Sequence, residues 1–575
     1  MIKQKLQQAI GDALADLKIG VIDFSLEYPN DVEHGDLSTN AALIHAKITK
    51  QNPRVLAEKI VLELEKQRKS GVFRKNKLSE VERIEIAGPG FINFYFTREF
   101  FAKTVEQILK DGSEYGKNNL HKGRKVMIEY TDPNPFKPFH IGHLMSNAIG
   151  ETISRLFENA GAEVKRAYYG GDVGLHVAKA IWGMMKTPYD KSGKETEIAY
   201  IGRVYAEGNT AFESDPILAD NIKEINKKIF EHSDAKIEEL YKWGREISIK
   251  HFHEIFPKLD TRFDFEFYES EMAPIGMFLV DEFLQKGIFE KSEGAIVFKG
   301  EKYGLHTRVF VNSQGIPTYE AKELGLAKRK IETYPFDLSI SVTGNEQNEY
   351  FKVLLKVIEF IFPETANKMR HISHGMLRFA EGKMSSRKGN VITGESLIHD
   401  VEKMVAEKIA DRELNGEEKK QILDTVAIAA IKFSILKQAP GNDIIFDFEK
   451  SLSFEGDSGP YLQYGSVRAN SVLQKAKKEG IKPSQKNIPA EVSEFEKLLA
   501  RFEEVVEHAT VNLAPQNIVT YLLQLSGEFN SYYVANKIVD PTDETASYKV
   551  ALTAGFVQIM NHGLKLLGIS VPEKM

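Results

Sequence analysis

From residue 124 to about residue 395, short apolar runs alternate with stretches of helical periodicity, and that alternation predicts an α/β sheet. The run RKVMIEYT (124–131) reads as a buried strand feeding a loop and then a helix. Within the block, 185–300 is more helical, charged and aromatic, and reads as an insertion. Residues 1–110 precede it as an α+β unit. A helix spans Pro53 to Gln67, burying Leu56, Ile60 and Leu64, and strands Val81 to Ala87 and Phe91 to Phe96 flank the turn Gly88-Pro89-Gly90. Beyond about 400 the pattern is helical: a connector over 396–454, then an all-α region over 455–575, with its last helical stretch from Ala514 to Leu567.

Composition removes several classes of function. The 575 residues include no cysteine, which excludes disulfides, thiolate metal sites and cysteine nucleophiles. No apolar run approaches the ~18 residues of a membrane span. The first seventeen residues place Ile2, Leu6, Ile10, Leu14 and Leu17 at helical spacing, as in a folded amphipathic helix rather than a signal peptide. The expectation is a soluble, cytoplasmic protein. A net charge of −6 counts against non-specific nucleic-acid binding but allows a local basic face.

Two segments carry chemistry. In EYTDPNPFKPFHIGH (129–143), Pro133, Pro135 and Pro138 forbid helix until about His140. The helix tip then presents free N–H groups, suited to phosphate, with His140 and His143 on one face. Gly142 between them leaves room for a base or ribose. Alone, this pair reads as two surface histidines; a metal site lacks a third ligand. In EGKMSSRKGNV (381–391), Lys383, Arg387 and Lys388 stand among hydroxyls and glycines, a cationic loop able to meet charge developing on phosphate. Alone, it reads as a solvated basic loop.

Together, and in this order about 240 residues apart, HIGH (140–143) and KMSSR (383–387) resemble the two hallmarks of class I aminoacyl-tRNA synthetases. Arg387 replaces the usual last lysine of the second motif. Further segments resemble the arginyl-tRNA synthetases: EHGDLSTNAAL, GPGFINFYF, GGDVGLH, DFEFYESE, GIPTYEAKEL, SFEGDSGPYLQYGSVRANSVL and the ending LGISVPEKM. The resemblance spans nearly the whole chain. It implies a Rossmann-like catalytic domain, an α+β N-terminal domain contacting tRNA, and an α-helical anticodon-binding domain.

The implied reaction is two-step: ATP activates L-arginine as the adenylate, and the arginyl group passes to the terminal adenosine of tRNA(Arg). The resemblance gives His140, Gly142, His143, Lys383, Met384, Ser385 and Ser386 to ATP. His140 and His143 would orient ATP and help neutralise its phosphates, and Lys383 with Lys388 would stabilise the transition state. It gives Glu129, Asp132, Pro133, Asn134, His143, Tyr319, Glu323 and Gln347 to arginine. Glu129 and Glu323 would face the guanidinium, with Tyr319 against the side chain; Asn134, His143 and Gln347 would take the α-amino and carboxylate end. Two departures stand out: Glu323 where the family usually has aspartate, and Tyr350 where histidine is common. Tyr461, Tyr464, Arg468 and Tyr533, with Tyr532, become candidate tRNA contacts, although core packing explains tyrosines equally well. Mg2+ would accompany ATP without a structural metal of its own, activation would await tRNA, and the protein would be a monomer.

The physical demand agrees. Guanidinium is planar and always charged, with five N–H donors. Forked bonds to carboxylates are worth roughly 1.5–3 kcal/mol each, so lysine can be rejected without an editing module. The rivals are a class I synthetase for another amino acid and a non-catalytic tRNA-binding paralogue. A cysteinyl enzyme would need a Cys/His zinc site, and a dead paralogue would show damage at His140, His143 or Lys383; the sequence shows neither.

Overall fold

The computed structural model describes residues 2–575 except 30–33, 70–77, 381–392, 411 and 413, and for Lys69 the backbone alone. The chain divides into two compact units, one of 1–116, 468–504 and 524–559, the other of 117–467, 505–523 and 560–575.

In the first unit, β1 (Leu26–Glu27), β2 (Leu37–Thr39), β3 (Val81–Ala87) and β4 (Phe91–Phe96) form an antiparallel sheet in the order β1-β2-β4-β3. The helices Ile2–Asp16 and Pro53–Lys69 pack on it. Their helical stripes hold as expected: Leu6, Ile10, Leu14, Leu56, Ile60 and Leu64 are all fully buried. Ile2 and Leu17 pack at the margin.

The second unit is built on a parallel sheet of β5 (Lys125–Glu129), β6 (Glu163–Gly170), β7 (Phe265–Tyr268), β11 (Leu338–Gly344) and β12 (Met369–His374), in the order β12-β11-β5-β6-β7. β8 (Glu290–Ser292), β9 (Ala295–Phe298) and β10 (Arg308–Val311) make a small antiparallel sheet, and β13 (Leu377–Phe379) pairs with β14 (Ile444–Phe446). β7 lies inside 185–300, so that stretch both carries the helices Glu197–Ser214, Pro216–Glu231 and Ala235–Ile255 and supplies an edge strand of the central sheet.

From β5 the chain adds strands on one side, then returns to add β11 and β12 on the other. The reversal falls between β5 and β11, and at such a point α/β sheets bind ligands outside the carboxyl ends of the strands. Register sorts the side chains. Met127 and Glu129 share a face with Ala167, Tyr169, Ser339 and Ser341; Val126, Ile128, Arg166, Ile340 and Val342 take the other.

The helices Glu269–Gln285 and Tyr319–Thr333 cover the first face. They lie very close because Gly276 and Gly325 lack side chains: a Cβ on either would fall 1.9 Å from the Ala321 carbonyl oxygen or 2.2 Å from that of Met272. The helix Ile141–Asn159 covers the second face. Ser146 Oγ donates to the Val342 carbonyl there, and buried Arg166 on β6 reaches Glu151 and Glu158.

The helical C-terminal region departs from expectation in one respect. The stretch expected from Ala514 to Leu567 is two helices, Pro515–Ala535 and Ala546–Leu566. Between them Pro541 offers no N–H, and the Asp540 and Asp543 carboxylates accept backbone N–H groups of Thr542 and Thr545, which favours turns over helix.

Candidate active site

The sharp turn after β5 builds the site. Thr131 and Asp132 have φ of 78° and 46°, left-handed values that non-glycine residues rarely take. Hydrogen bonds from the helix Ile141–Asn159 and from β6 hold the turn. Thr131 N donates to Ser146 Oγ at 3.0 Å, Asn147 Nδ2 donates to Thr131 Oγ1 at 3.0 Å, and Tyr169 N donates to Asp132 Oδ1 at 2.8 Å. Asn134 Oδ1 then accepts from Gly171 N at 2.9 Å. Such over-determination is what strained backbone requires.

Gly171 begins the GDVG stretch, whose Asp172 is fully buried and accepts from Ser270 N, Ser270 Oγ and Arg245 Nε at 2.7–2.8 Å. His176 also contacts the Gly171 carbonyl, at 2.7 Å. That motif therefore works as a brace for the loop.

On the second face of the sheet, His140 is the N-cap of Ile141–Asn159. The His140 N–H donates to His143 Nδ1 at 3.1 Å, and the two rings stack with centroids 3.5 Å apart. Since Nδ1 of His143 accepts, its proton sits on Nε2, which becomes a donor. Burial, with Lys137 beside it, pushes the His140 imidazole down to about 4. Burial and then His140 drive His143 well below the usual range. Both rings are therefore neutral at pH 7. Neutral rings offer N–H donors to a neighbouring group rather than charge. A Cβ on Gly142 would lie 3.0 Å from the His140 ring, so the glycine makes room for the imidazole.

Lys383, Met384, Ser385, Ser386, Arg387 and Lys388 lie outside the described residues. Their downstream flank is placed: Thr393 forms a β-bridge with His140, and Gly394 N donates to the Phe139 carbonyl at 2.7 Å. Upstream, β12 ends at buried His374, whose charge would bear on both His140 and His143.

On the first face, acidic groups gather. Glu129 ends β5, buried, with Lys330 Nζ 2.5 Å away. Glu269, also buried, pairs with Lys322. Asp132 and Glu323 have no such cation of their own among the described ion pairs. Burial, then the Glu129 charge, raises both carboxyls well above the ordinary range. Tyr319 stands one helical turn before Glu323, 58% exposed, with Lys322 Nζ 4.4 Å above its ring. Gln347 closes the turn between β11 and the helix Asn348–Ile361. Four carboxyl groups thus gather here with two ammonium groups, an excess of acidic groups over cationic ones.

The comparisons with known proteins agree on what such a molecule is. Residues 104–448 match the family described as tRNA synthetases class I (R), catalytic domain. Residues 2–96 match the arginyl tRNA synthetase N terminal domain, and 462–575 the DALR anticodon binding domain. The arginine–tRNA ligase of Clostridium botulinum is 32% identical over 581 residues, covering 100% of both chains. The chain belongs to the arginyl-tRNA synthetases. The arginine–tRNA ligase of Halothermothrix orenii is 30% identical, over 100% of this chain and 99% of its own. The arginyl-tRNA synthetase of Thermus thermophilus has the same fold, with a TM-score of 0.79 at 23% identity and 100% of each chain covered. The protein is thus an arginine–tRNA ligase, with ATP as a substrate. No helix among the described residues is long and apolar enough to cross a membrane.

Of the residues expected from sequence, Glu129, Asp132, Pro133, Asn134, His140, Gly142 and His143 sit in one continuous segment at the sheet's carboxyl edge. Glu323 is brought to Glu129 and Asp132 from 191 residues further along than Asp132. Of the candidate tRNA contacts, Arg468 lies 5.7 Å from the ring of Tyr533, which is 41% exposed. Arg468 also donates to Asn530 Oδ1 at 2.9 Å. Tyr532 packs on Phe495 with centroids 5.1 Å apart. Tyr461 and Tyr464 share the helix Gly459–Lys478, and Tyr464 meets Phe454 edge-on at 6.2 Å. Sequence reasoning missed Lys330, Lys322, Glu269, Tyr169 and His374. Only the eight-residue separation of Lys322 and Lys330, about two helical turns within an otherwise inward-facing stripe, could have signalled the lysines.

Proposed function

We propose that arginine binds with its guanidinium against Glu129 and Glu323 and its α-amino and carboxylate end toward Asn134, His143 and Gln347. The observation that carries this reading is the acidic group at the end of β5, where burial and then the Glu129 charge push up the carboxyls of Asp132 and Glu323. A forked cation answers that demand better than lysine's single ammonium, because it can bond two separated carboxylates at once.

ATP lies on the neighbouring side of the sheet's carboxyl edge, with its phosphates toward the free N–H groups of the Ile141–Asn159 tip and toward the neutral imidazoles of His140 and His143. The arginine carboxylate attacks the α-phosphorus, and pyrophosphate leaves. Lys383 and Lys388 stabilise the equatorial oxygens as charge builds on them, while Met384, Ser385 and Ser386 contact the nucleotide. Mg2+ travels with ATP, held by phosphates and water.

The terminal adenosine of tRNA(Arg) then attacks the carbonyl through a ribose hydroxyl and displaces AMP. Positioning and fixed charge do the catalysis, and no side chain becomes covalently attached. Arg468 with Tyr533, and Tyr461 with Tyr464, contact the anticodon arm by charge and stacking. The protein works in the cytoplasm as a monomer, with functional boundaries at 1–110, 111–395, 396–454 and 455–575.

ATP–pyrophosphate exchange against all twenty amino acids, with and without tRNA(Arg), tests the reading. Exchange with arginine alone, and only when tRNA is present, is expected. Full exchange without tRNA would refute the dependence on tRNA, and exchange with another amino acid would refute the pocket.

A further inference from the structure

Two tyrosine hydroxyls in the same region have no role in the account so far. Tyr350 is 7% exposed and Tyr169 is 8% exposed, and neither hydroxyl has a hydrogen-bond partner among the described residues. Leaving such a group buried and unpaired is unfavourable, and native structures rarely do so without a reason.

Both lie against the acidic pocket. Tyr169 shares the sheet face of Glu129, one strand over and two residues nearer the carboxyl edge, since Glu129 is in register with Ala167. Its backbone N–H holds Asp132. Tyr350 is in the first turn of Asn348–Ile361, three residues after Gln347, and packs with Ala321 and Leu324 on either side of Glu323 in sequence. Arg308 lies 6.0 Å from its ring and is tied to Glu320 at 3.7 Å, so it is already committed. Burial, followed by Glu269 for Tyr169 and Glu323 for Tyr350, keeps both phenols protonated well past neutral pH.

We infer that Tyr169 and Tyr350 are specificity-determining residues of the amino-acid pocket, each turning a buried, partnerless hydroxyl toward the guanidinium held by Glu129 and Glu323. The inference rests on the proposed arginine pocket and extends it. Carboxylates can only accept hydrogen bonds. A phenol can accept one from a guanidinium N–H while donating its own proton to a neighbouring carboxylate. Guanidinium has five N–H groups directed around a plane, one more than two carboxylates pair in forked fashion; the phenols supply an acceptor for it. An ammonium group presents three N–H groups from one atom, so it cannot satisfy acceptors spread around the pocket. The tyrosines therefore sharpen the choice of arginine over lysine.

The test is Tyr350→Phe, Tyr169→Phe and the double variant, with Glu323→Gln as a reference, in tRNA charging at varied arginine, lysine and ATP. Each phenylalanine variant is expected to raise KM for arginine about 10-fold, equivalent to about 1.4 kcal/mol. The arginine-over-lysine ratio should fall by a similar factor, while kcat stays within about threefold, KM for ATP is unchanged and Tm does not drop. If KM for arginine stays within twofold in both single variants, or if Tm and kcat fall together, the inference is overturned. In that event an impaired Glu323→Gln would leave the pocket reading standing, whereas an unimpaired one would take the pocket reading down as well.

Discussion

Replacing Glu323 by glutamine should weaken arginine binding and at the same time stabilise the protein free of arginine. Glu323 faces Glu129, Asp132 and Glu269, while Lys330 is committed to Glu129 and Lys322 to Glu269. Fully ionised, four carboxylates and two ammonium groups sum to −2, and a guanidinium brings the pocket to −1. Glutamine at 323 makes the free pocket −1, which relieves repulsion, but removes an ionised acceptor from the ligand. A hydrogen bond to a charged group contributes about 1.5–3 kcal/mol, or about 10- to 100-fold in KM for arginine.

The stability effect has a defined pH window. The folded carboxyl lies above its ordinary value of 4.5, so wild-type stability declines as pH rises from there through the raised value. Glutamine abolishes that decline, so the variant should melt higher than wild type at pH 8, by about 1–2 °C, with the gap closing near pH 4. Initial rates of charging and thermal melts at both pH values read the two effects. An unchanged KM, or a lower melting temperature at pH 8, would refute the reasoning.

Other consequences can be measured in parallel. Arginine should draw protons off Asp132 and Glu323 as it binds, because a cation lowers carboxyls that burial and Glu129 have raised. Titration calorimetry in buffers of different ionisation enthalpy should show net proton release, with affinity falling as pH drops through the raised values; no buffer dependence would contradict this. His140, held down to about 4, binds no proton where an unfolded imidazole does, so the fold loses stability as pH falls from about 6.5 to 4. His140→Gln should flatten that part of the melting profile, and superimposable profiles would count against a neutral ring. Gly150→Ala would place a Cβ 2.2 Å from Cγ of the fully buried Tyr130, between the helix Ile141–Asn159 and β5. A loss of about 1–3 kcal/mol in a denaturant titration is expected, and a neutral result would mean that the helix packs elsewhere.

What the sequence disclosed followed the range of its signals. Short-range periodicity located the hairpin around Gly88-Pro89-Gly90, the strand Lys125–Glu129 and the helix beginning after His140, because apolar alternation and proline placement are local. The same reasoning joined 536–545 to its flanking helices, since a run of helical spacing does not reveal two aspartates capping turns around Pro541. Glu129, His140 and Glu323 were legible through their resemblance to a family. The protonation of the site was not. Neutral imidazoles depend on burial and on a His140–His143 bond, and the raised carboxyls depend on Glu129, Asp132 and Glu323 converging from separate elements. Tyr169 drew no reading from the sequence and Tyr350 stood out only as a departure from a common histidine, because a missing hydrogen-bond partner is a property of the folded interior.

The central claim is that the carboxylates at the end of β5 grip the side chain of the amino acid. A crystal structure of the protein with L-arginine tests it most directly. The guanidinium should lie within about 3 Å of carboxylate oxygens of both Glu129 and Glu323, a distance set by charge-assisted bonds. Arginine ordered at the end of β5 with its guanidinium away from both would contradict the account.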